Sequence, residues 1–558
     1  MKDKNNDQEI ALFSKIHWLT LFFVSLAMYA VALWFGALNQ DEGWYLYAGR
    51  LVSEGLHPFV DYASTQGPVM AYVYALAQPL VNHMGVAGGR LFTAMLGITT
   101  LAFAALLAFR ISKGKGVAAI LVFSLMGLNL YHVYFTSIVK TYSLAGLFVV
   151  LGFIALERVL RFETCRLRSP DGDTENTAMC GLTHYQLFGF SFLSAGMFAL
   201  AAGVRLSAGI LLPVIWLTLV WFWFRGGRLK SDAIVLAGFL LGGSLVLIAI
   251  YMPFLVVAPE AVKFGLLDYH SGRSINSLPM LLAYKGGFVV RLVGSYFPLV
   301  VACMVGVWSF INRLSLGKGV SMLEVRIIPF MLISVAAVTI VHLMAVFPYD
   351  DYQVFIMPLL AIVAGVSVAP MLSRVKYGMW IVVLLIIAHS VSSPMLQGWM
   401  LADRDRIWWP LRSQTQLQQL RMAADRVINC ADLSSNVSES TLLTQDTYLA
   451  VESGMRVPKG MELGPFCYFP DMDRKKAEEC HVLNWEMLRE VLVACDAPMA
   501  AFSGYGLSIS CPQVSHLSID EQSELWRILE LNYKSVASVA EFGQADTTLR
   551  ILKCLKDE

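Results

Sequence analysis

Apolar runs of about twenty residues recur from Trp18 to about Ser393, and about twenty is the length a helix needs to cross a bilayer core. In lipid a backbone must satisfy its own N–H and C=O groups, so such a chain folds as a bundle of spanning helices. Composition agrees. The chain is 57% hydrophobic and 15% charged, where a soluble domain carries about 25% charged residues. Its net charge of +1 offers nothing to attract nucleic acid.

We place eleven spans, at about 18–38, 88–109, 117–134, 138–156, 187–203, 208–224, 233–257, 288–310, 327–347, 353–371 and 379–395. Basic residues then fall in alternate loops: Arg110, Lys113 and Lys115; Arg158, Arg161, Arg166 and Arg168; Arg225, Arg228 and Lys230; Arg313, Lys318 and Arg326; Arg374 and Lys376. These share one side only if segment 68–84 stays out of the bilayer core. We therefore read 68–84 as an interfacial helix whose Tyr72, Tyr74, Gln78, Asn82 and His83 suit the outer leaflet. Lys and Arg gather on the cytoplasmic side, which puts the N-terminus inside and the C-terminus outside a bacterial inner membrane.

From about Gln397 to Glu558 charges become frequent and apolar runs shorten. We divide the chain into a membrane domain, 1–396, with an outer-face loop at 39–87, and a soluble extracytoplasmic (periplasmic) domain, 397–558. In the tail 414–429 reads as a helix, 441–445 as a strand, 446–454 as a helix closed by Gly454, and 474–494 as a helix. APMAAFSG reads as a strand, 519–532 as a helix, and the last two strand-like runs as a hairpin, giving a small α/β domain. Six of the nine cysteines (Cys430, Cys467, Cys480, Cys495, Cys511, Cys554) lie there, enough for three disulfides in an exported domain or six thiols in a cytosolic one. The fold class is thus a polytopic α-helical membrane protein with a C-terminal α/β domain.

Ionisable residues at a membrane surface are costly and read as functional candidates. Asp41-Glu42 follows the first apolar run, and Asp61 follows in the same loop. A carboxylate there can accept the proton of an attacking hydroxyl or amine, or it can simply sit in the first turn of a helix, favouring its dipole. Lys140, Arg205, Arg273 and Arg291 lie at or near the same level and suit a phosphate, or only lipid headgroups. Loop 258–287 carries Asp268 and His270, and Asp350-Asp351 ends a span on the same side. These acids can meet sugar hydroxyls or belong to a solvated turn. His342, one turn deeper, reads as a core histidine, and no spacing supports a metal site around it. Asn436-Val-Ser438 matches a glycosylation sequon, a pattern common by chance.

The stretch DEGWYLYAGRLVSEGLHPFVDYASTQGPVMAYVYALAQPL followed by GGRLFTAMLGI resembles the first extracytoplasmic loop of GT-C glycosyltransferases. It is most similar to bacterial relatives of protein O-mannosyltransferases and of the lipid A aminoarabinose transferase. The matching pieces are Asp41-Glu42, Tyr47-Ala48, Gly55 with Pro58-Phe59-Val60-Asp61, and Gly67-Pro68; Gly203-Val204-Arg205 and Tyr349-Asp350-Asp351-Tyr352 extend the likeness more loosely.

The resemblance implies an inverting enzyme that takes a hexosyl or pentosyl group from a polyprenyl-phosphate donor on the outer face. The acceptor would be a glycan, a lipid or a protein. Asp41 would be the base, with Glu42 and Asp61 in the catalytic set. Lys140, Arg205 and Arg273 would face the donor phosphate, and Tyr47, Gln66, His270, Asp350 and Asp351 the sugar or acceptor. Two departures stand out. Thr65 and Gln66 occupy positions where some relatives carry an acid and a lysine, and Lys140-Thr141-Tyr142 stands where many carry an acid. No metal ligand is therefore assigned, and a divalent cation is left open as the one cofactor option. A lipid-linked glycan flippase and an O-antigen-type polymerase are the alternatives. A transporter would show repeated halves with ionisable groups at the bilayer midplane, and this sequence shows neither.

Overall fold

The computed structural model describes residues 20–33, 35–168, 183–226, 229–271, 275, 277–317, 320–372, 375, 377–392, 421–422, 425–426, 440–503, 517–542 and 545–553. Arg273, Cys430, Cys511, Cys554, the sequon at Asn436, the expected domain boundary near 397 and nearly all of the helix expected over 414–429 lie outside them.

Among the described residues six helices are long and apolar enough to cross a membrane: α5 (Val86–Ile111), α8 (Thr141–Arg168), α9 (His184–Val204), α11 (Leu229–Val257), α13 (Phe297–Ser315) and α14 (Met322–Met344). Five shorter apolar helices among the described residues join them: α1 (Thr20–Leu33), α6 (Gly116–Gly127), α10 (Leu211–Gly226, reached through a turn at Leu206–Ile210), α15 (Met357–Leu372) and α16 (Gly378–Ser392); a short helix, α7 (Leu130–Phe135), lies between α6 and α8. Helix α1 shows why these segments pack as they do. Leu21, Ser25, Tyr29 and Ala32, three or four residues apart, are buried, while Phe22, Phe23 and Leu26 face outward. Small residues set the close approaches: a Cβ on Gly242 of α11 would lie 2.2 Å from the Phe192 carbonyl of α9.

Segment 68–84 folds as two seven-residue helices, α3 (Val69–Ala75) and α4 (Gln78–Met84), packed on α2 (Asp41–Ser53). Seven residues rise about 10 Å, far short of a bilayer core. The span expected at 288–310 is corrected. The chain breaks at Ser295-Tyr296, where Pro298 opens α13, and residues 278–295 form a separate helix, α12 (Leu278–Ser295). Lys285 of α12 donates to the Leu343 and Ala345 carbonyls at the end of α14, and Arg291 pairs with Asp350 at 2.9 Å. The middle and the C-terminal turns of α12 are therefore tied to the end of the bundle that carries Asp41.

Described basic residues of the expected cytoplasmic loops lie at the other end. Arg110 and Arg161 both pair with the buried Glu157 where α5 and α8 finish, and Arg313 lies 3.8 Å from Glu324.

The C-terminal residues form a four-stranded sheet in the order β1-β2-β4-β3: β1 (Leu442–Thr444), β2 (Met499–Phe502), β3 (Tyr533–Phe542) and β4 (Ala545–Leu552). β1 and β2 are parallel and the other pairs antiparallel. Helix α17 (Thr447–Ser453) ends at Gly454 with φ +73, the left-handed conformation glycine tolerates best. The single helix expected over 474–494 is instead two, α18 (Arg474–Glu479) and α19 (Trp485–Ala494). His481 takes φ +56 between them, and Asn484 caps the second by accepting from the Met487 N–H. Helix α20 (Ile519–Asn532) begins with a Ser518–Glu521 capping box. Cys467 and Cys480 are buried free thiols, so three disulfides do not form.

Candidate active site

Helix α2 presents three faces, and its sequence assigns each residue to one of them by helical spacing. Gly43, Tyr47 and Arg50 face the C-terminal domain. A Cβ on Gly43 would lie 2.2 Å from the Tyr448 backbone nitrogen, the Tyr47 hydroxyl accepts from the Val457 N–H at 3.1 Å, and Arg50 donates to the Met455 carbonyl at 2.9 Å. Glu42 and Leu46 face α5. Asp41 faces Lys140, just before α8, and Tyr45, one turn on, lies within electrostatic reach of Lys140 and of Arg205 at the end of α9.

The Glu42 face is a buried anchor. Glu42 and Arg90 are 0% and 1% exposed and form a two-bond ion pair, Nε to Oε2 at 2.8 Å and Nη2 to Oε1 at 2.5 Å. The remaining acceptor positions take the Asn39 N–H at 2.8 Å and the Val139 N–H at 3.0 Å. Arg90 also donates to the Gly36 and Ala37 carbonyls. Both charges are fully hydrogen-bonded, the condition under which a buried pair is tolerated. Through Val139 this anchor fixes the residue next to Lys140.

Asp41 is the first residue inside α2, and the cap position falls on Gln40. Its carboxylate, 23% exposed, meets the Lys140 ammonium at 3.2 Å. The same ammonium lies 3.2 Å from Asp351, which also accepts from the Tyr142 hydroxyl at 2.7 Å. Three residues far apart in the chain thus form one row, Asp41, Lys140, Asp351. Arg205 stands beside it. Its guanidinium lies 4.4 Å from the Tyr352 ring centroid and 5.0 Å from that of Tyr142, and it donates to Thr141 at 3.0 Å. Arg205 is 8% exposed, its Nε has no hydrogen-bond partner, and among the described residues it pairs with no carboxylate. A buried cation without a counter-ion is costly and suits an incoming anion.

The other expected site residues lie elsewhere. Tyr47 is buried against the C-terminal domain, as above, and cannot reach a sugar at the Asp41 row. Asp61 accepts from the His57 N–H at 2.7 Å and closes a local turn. His270 bonds the Thr65 carbonyl at 2.9 Å and ties its loop to 64–66. Gln66 is half-buried in that segment, its carbonyl accepting from Ser64. Asp350 turns away from Asp351, accepting from Tyr131 at 2.6 Å and Arg291 at 2.9 Å. His342 is buried and bonded to Ser207 and Gln353. Tyr45 was missed by the sequence reading; it lies within electrostatic reach of Asp41, Arg205, Lys140 and Tyr352. The signal was its place one helical turn after Asp41.

The chain superposes on crystal structures of ArnT from Cupriavidus metallidurans. The apo form gives a TM-score of 0.53 at 15% identity, covering 97% of this chain and 98% of that one. The form bound to undecaprenyl phosphate gives 0.52 at 14%, covering 97% and 99%. The chain thus has the fold of ArnT, at 14–15% identity. An oligosaccharyltransferase from Archaeoglobus fulgidus gives 0.48 at 13%, over 96% of this chain and 76% of that one. No protein-family model matches the chain, and no curated protein matches it. The likeness extends over nearly the whole length of both chains.

Proposed function

We propose that this protein is an inverting glycosyltransferase that moves a sugar from a polyprenyl-phosphate carrier to an acceptor at the extracytoplasmic face. One observation carries the reading: a partly exposed carboxylate, Asp41, and a buried guanidinium that pairs with no carboxylate among the described residues, Arg205, both lie within electrostatic reach of Tyr45. Transfer needs both groups. Asp41 accepts the proton of the acceptor group as its oxygen or nitrogen bonds to the anomeric carbon. The bond from that carbon to the phosphate oxygen breaks, its electron pair stays on the phosphate, and Arg205 balances the charge that develops. The ArnT fold, one structure of which holds undecaprenyl phosphate, supports the donor class. The basic residues at the end opposite Asp41 support an outer location for the site, by the positive-inside rule. The acidic row lies at helix ends and not within spans, which favours an enzyme over a transporter.

The test is transfer of a labelled sugar from polyprenyl phosphate in membranes. Asp41→Asn should lower the rate by about 10²- to 10⁴-fold, the usual worth of a general base. Undiminished transfer at normal protein level would remove Asp41 as the base.

A further inference from the structure

We propose that the Lys140 ammonium is a built-in counter-ion that fills the place a divalent cation would take between Asp41 and Asp351, so that transfer here needs no added metal. The inference rests on the glycosyltransferase reading for its consequence, but its geometry stands alone. Lys140 Nζ lies 3.2 Å from an oxygen of each carboxylate. Its remaining surroundings are aromatic: the ring centroids of Phe135 and Tyr142 lie 5.8 Å and 5.7 Å away. A hard divalent cation takes about six oxygen ligands, of which one or two can be carboxylates and the rest water, so it would need the position between the two acids that the ammonium holds. The row supplies two carboxylates, and among the described residues no three His, Cys, Asp or Glu side chains converge on a metal position. A resident ammonium would also repel a second cation at this distance. The donor set therefore does not fit a metal while Lys140 is in place.

Lys140 is held there by the backbone. The neighbouring Val139 N–H is bonded to the buried Glu42, and the Lys140 N–H to the Ile138 carbonyl at 2.9 Å. Asp351 gains a second donor from Tyr142, two residues on. Lys140 acts through its neighbours: it bridges Asp41 and Asp351, offsets the repulsion between their charges and leaves Arg205 as the cation open to the donor phosphate. It is a positioning residue.

The test uses the full chain purified in detergent, with Mn²⁺ as the probe. Wild type should show no saturable Mn²⁺ site that Asp351→Asn abolishes, and its transfer rate should survive EDTA. Lys140→Ala should gain one Mn²⁺ site that Asp351→Asn removes, lose about tenfold or more in rate, and recover with Mn²⁺. Lys140→Arg, which keeps the cation, should gain no site. A wild-type Mn²⁺ site lost in Asp351→Asn overturns the proposal even if Lys140→Ala fails to fold. So does a folded Lys140→Ala, judged by its melting curve, that takes up no Mn²⁺. The binding arm reads no chemistry, so absence of transferase activity would sink the functional reading and leave this one standing.

Discussion

Glu452 of the C-terminal domain accepts a hydrogen bond at 2.8 Å from the backbone N–H of Val86, the first residue of α5. A carboxylate at a helix N-terminus is favoured by the dipole, and Arg421 lies 3.6 Å away. Burial outweighs both and pushes the Glu452 carboxyl up to about 7. Desolvation does the same to Glu462, also to about 7.

A pH dependence follows from those two groups. Their folded pKa values lie above the unfolded ones, so their contribution is full below the ordinary carboxylate range and is lost as pH rises through about 7. Melting temperature in detergent should fall between about pH 5 and about pH 8. Glu452→Gln should remove part of that slope and Glu452→Gln with Glu462→Gln most of it. An unchanged slope in the double variant would refute the assignment.

Gly43 packs directly on the C-terminal residues 447–448. Any side chain there meets the Tyr448 backbone at 2.2 Å and Thr447 at 2.7 Å. Gly43→Val should unseat the C-terminal domain, seen as its faster release by limited proteolysis. Tyr47→Phe, which loses one hydrogen bond to Val457, should cost only about 1 kcal/mol. Equal protease resistance of Gly43→Val and wild type would count against this docking.

The Glu42–Arg90 pair should matter for folding. Arg90→Met leaves the Glu42 charge buried and should cost about 3–5 kcal/mol in detergent unfolding. Adding Glu42→Gln removes that charge and keeps an acceptor for the Val139 N–H, so the double variant should be more stable than Arg90→Met alone. Losses that simply add would show that the two residues are not coupled.

Arg205 should be read in donor affinity. Arg205→Ala should raise the donor KM by about tenfold to a hundredfold, the size of a lost charge-assisted hydrogen bond of about 1.5–3 kcal/mol. Arg205→Lys should recover only part, because the planar stack on Tyr352 is lost. A KM equal to wild type in Arg205→Ala would move the phosphate elsewhere.

Much of this molecule could be read along the chain. Span positions follow from local hydrophobicity, because lipid forces each apolar run into a self-satisfied helix. The two helices at 69–84 are each too short to cross a bilayer core, as the interfacial reading of that segment requires. The tail's strands and capped helices follow from short-range turn and capping signals, as at Gly454 and Ser518. Asp41 was legible too, as an acid at the lip of a span.

What each acid does was decided by tertiary packing. Asp41 and Glu42 are neighbours in sequence and lie about 100° apart around α2. That turn sends one to Lys140 and buries the other against Arg90. Tyr47, which read as a sugar contact, falls on a third face and binds the C-terminal domain, while Tyr45 takes the place near the site. Lys140 meets Asp351 across 211 residues of chain. A sequence pattern carries the periodicity of one element. The partner of each face depends on which other elements the whole bundle brings to it, and local physics does not contain that choice.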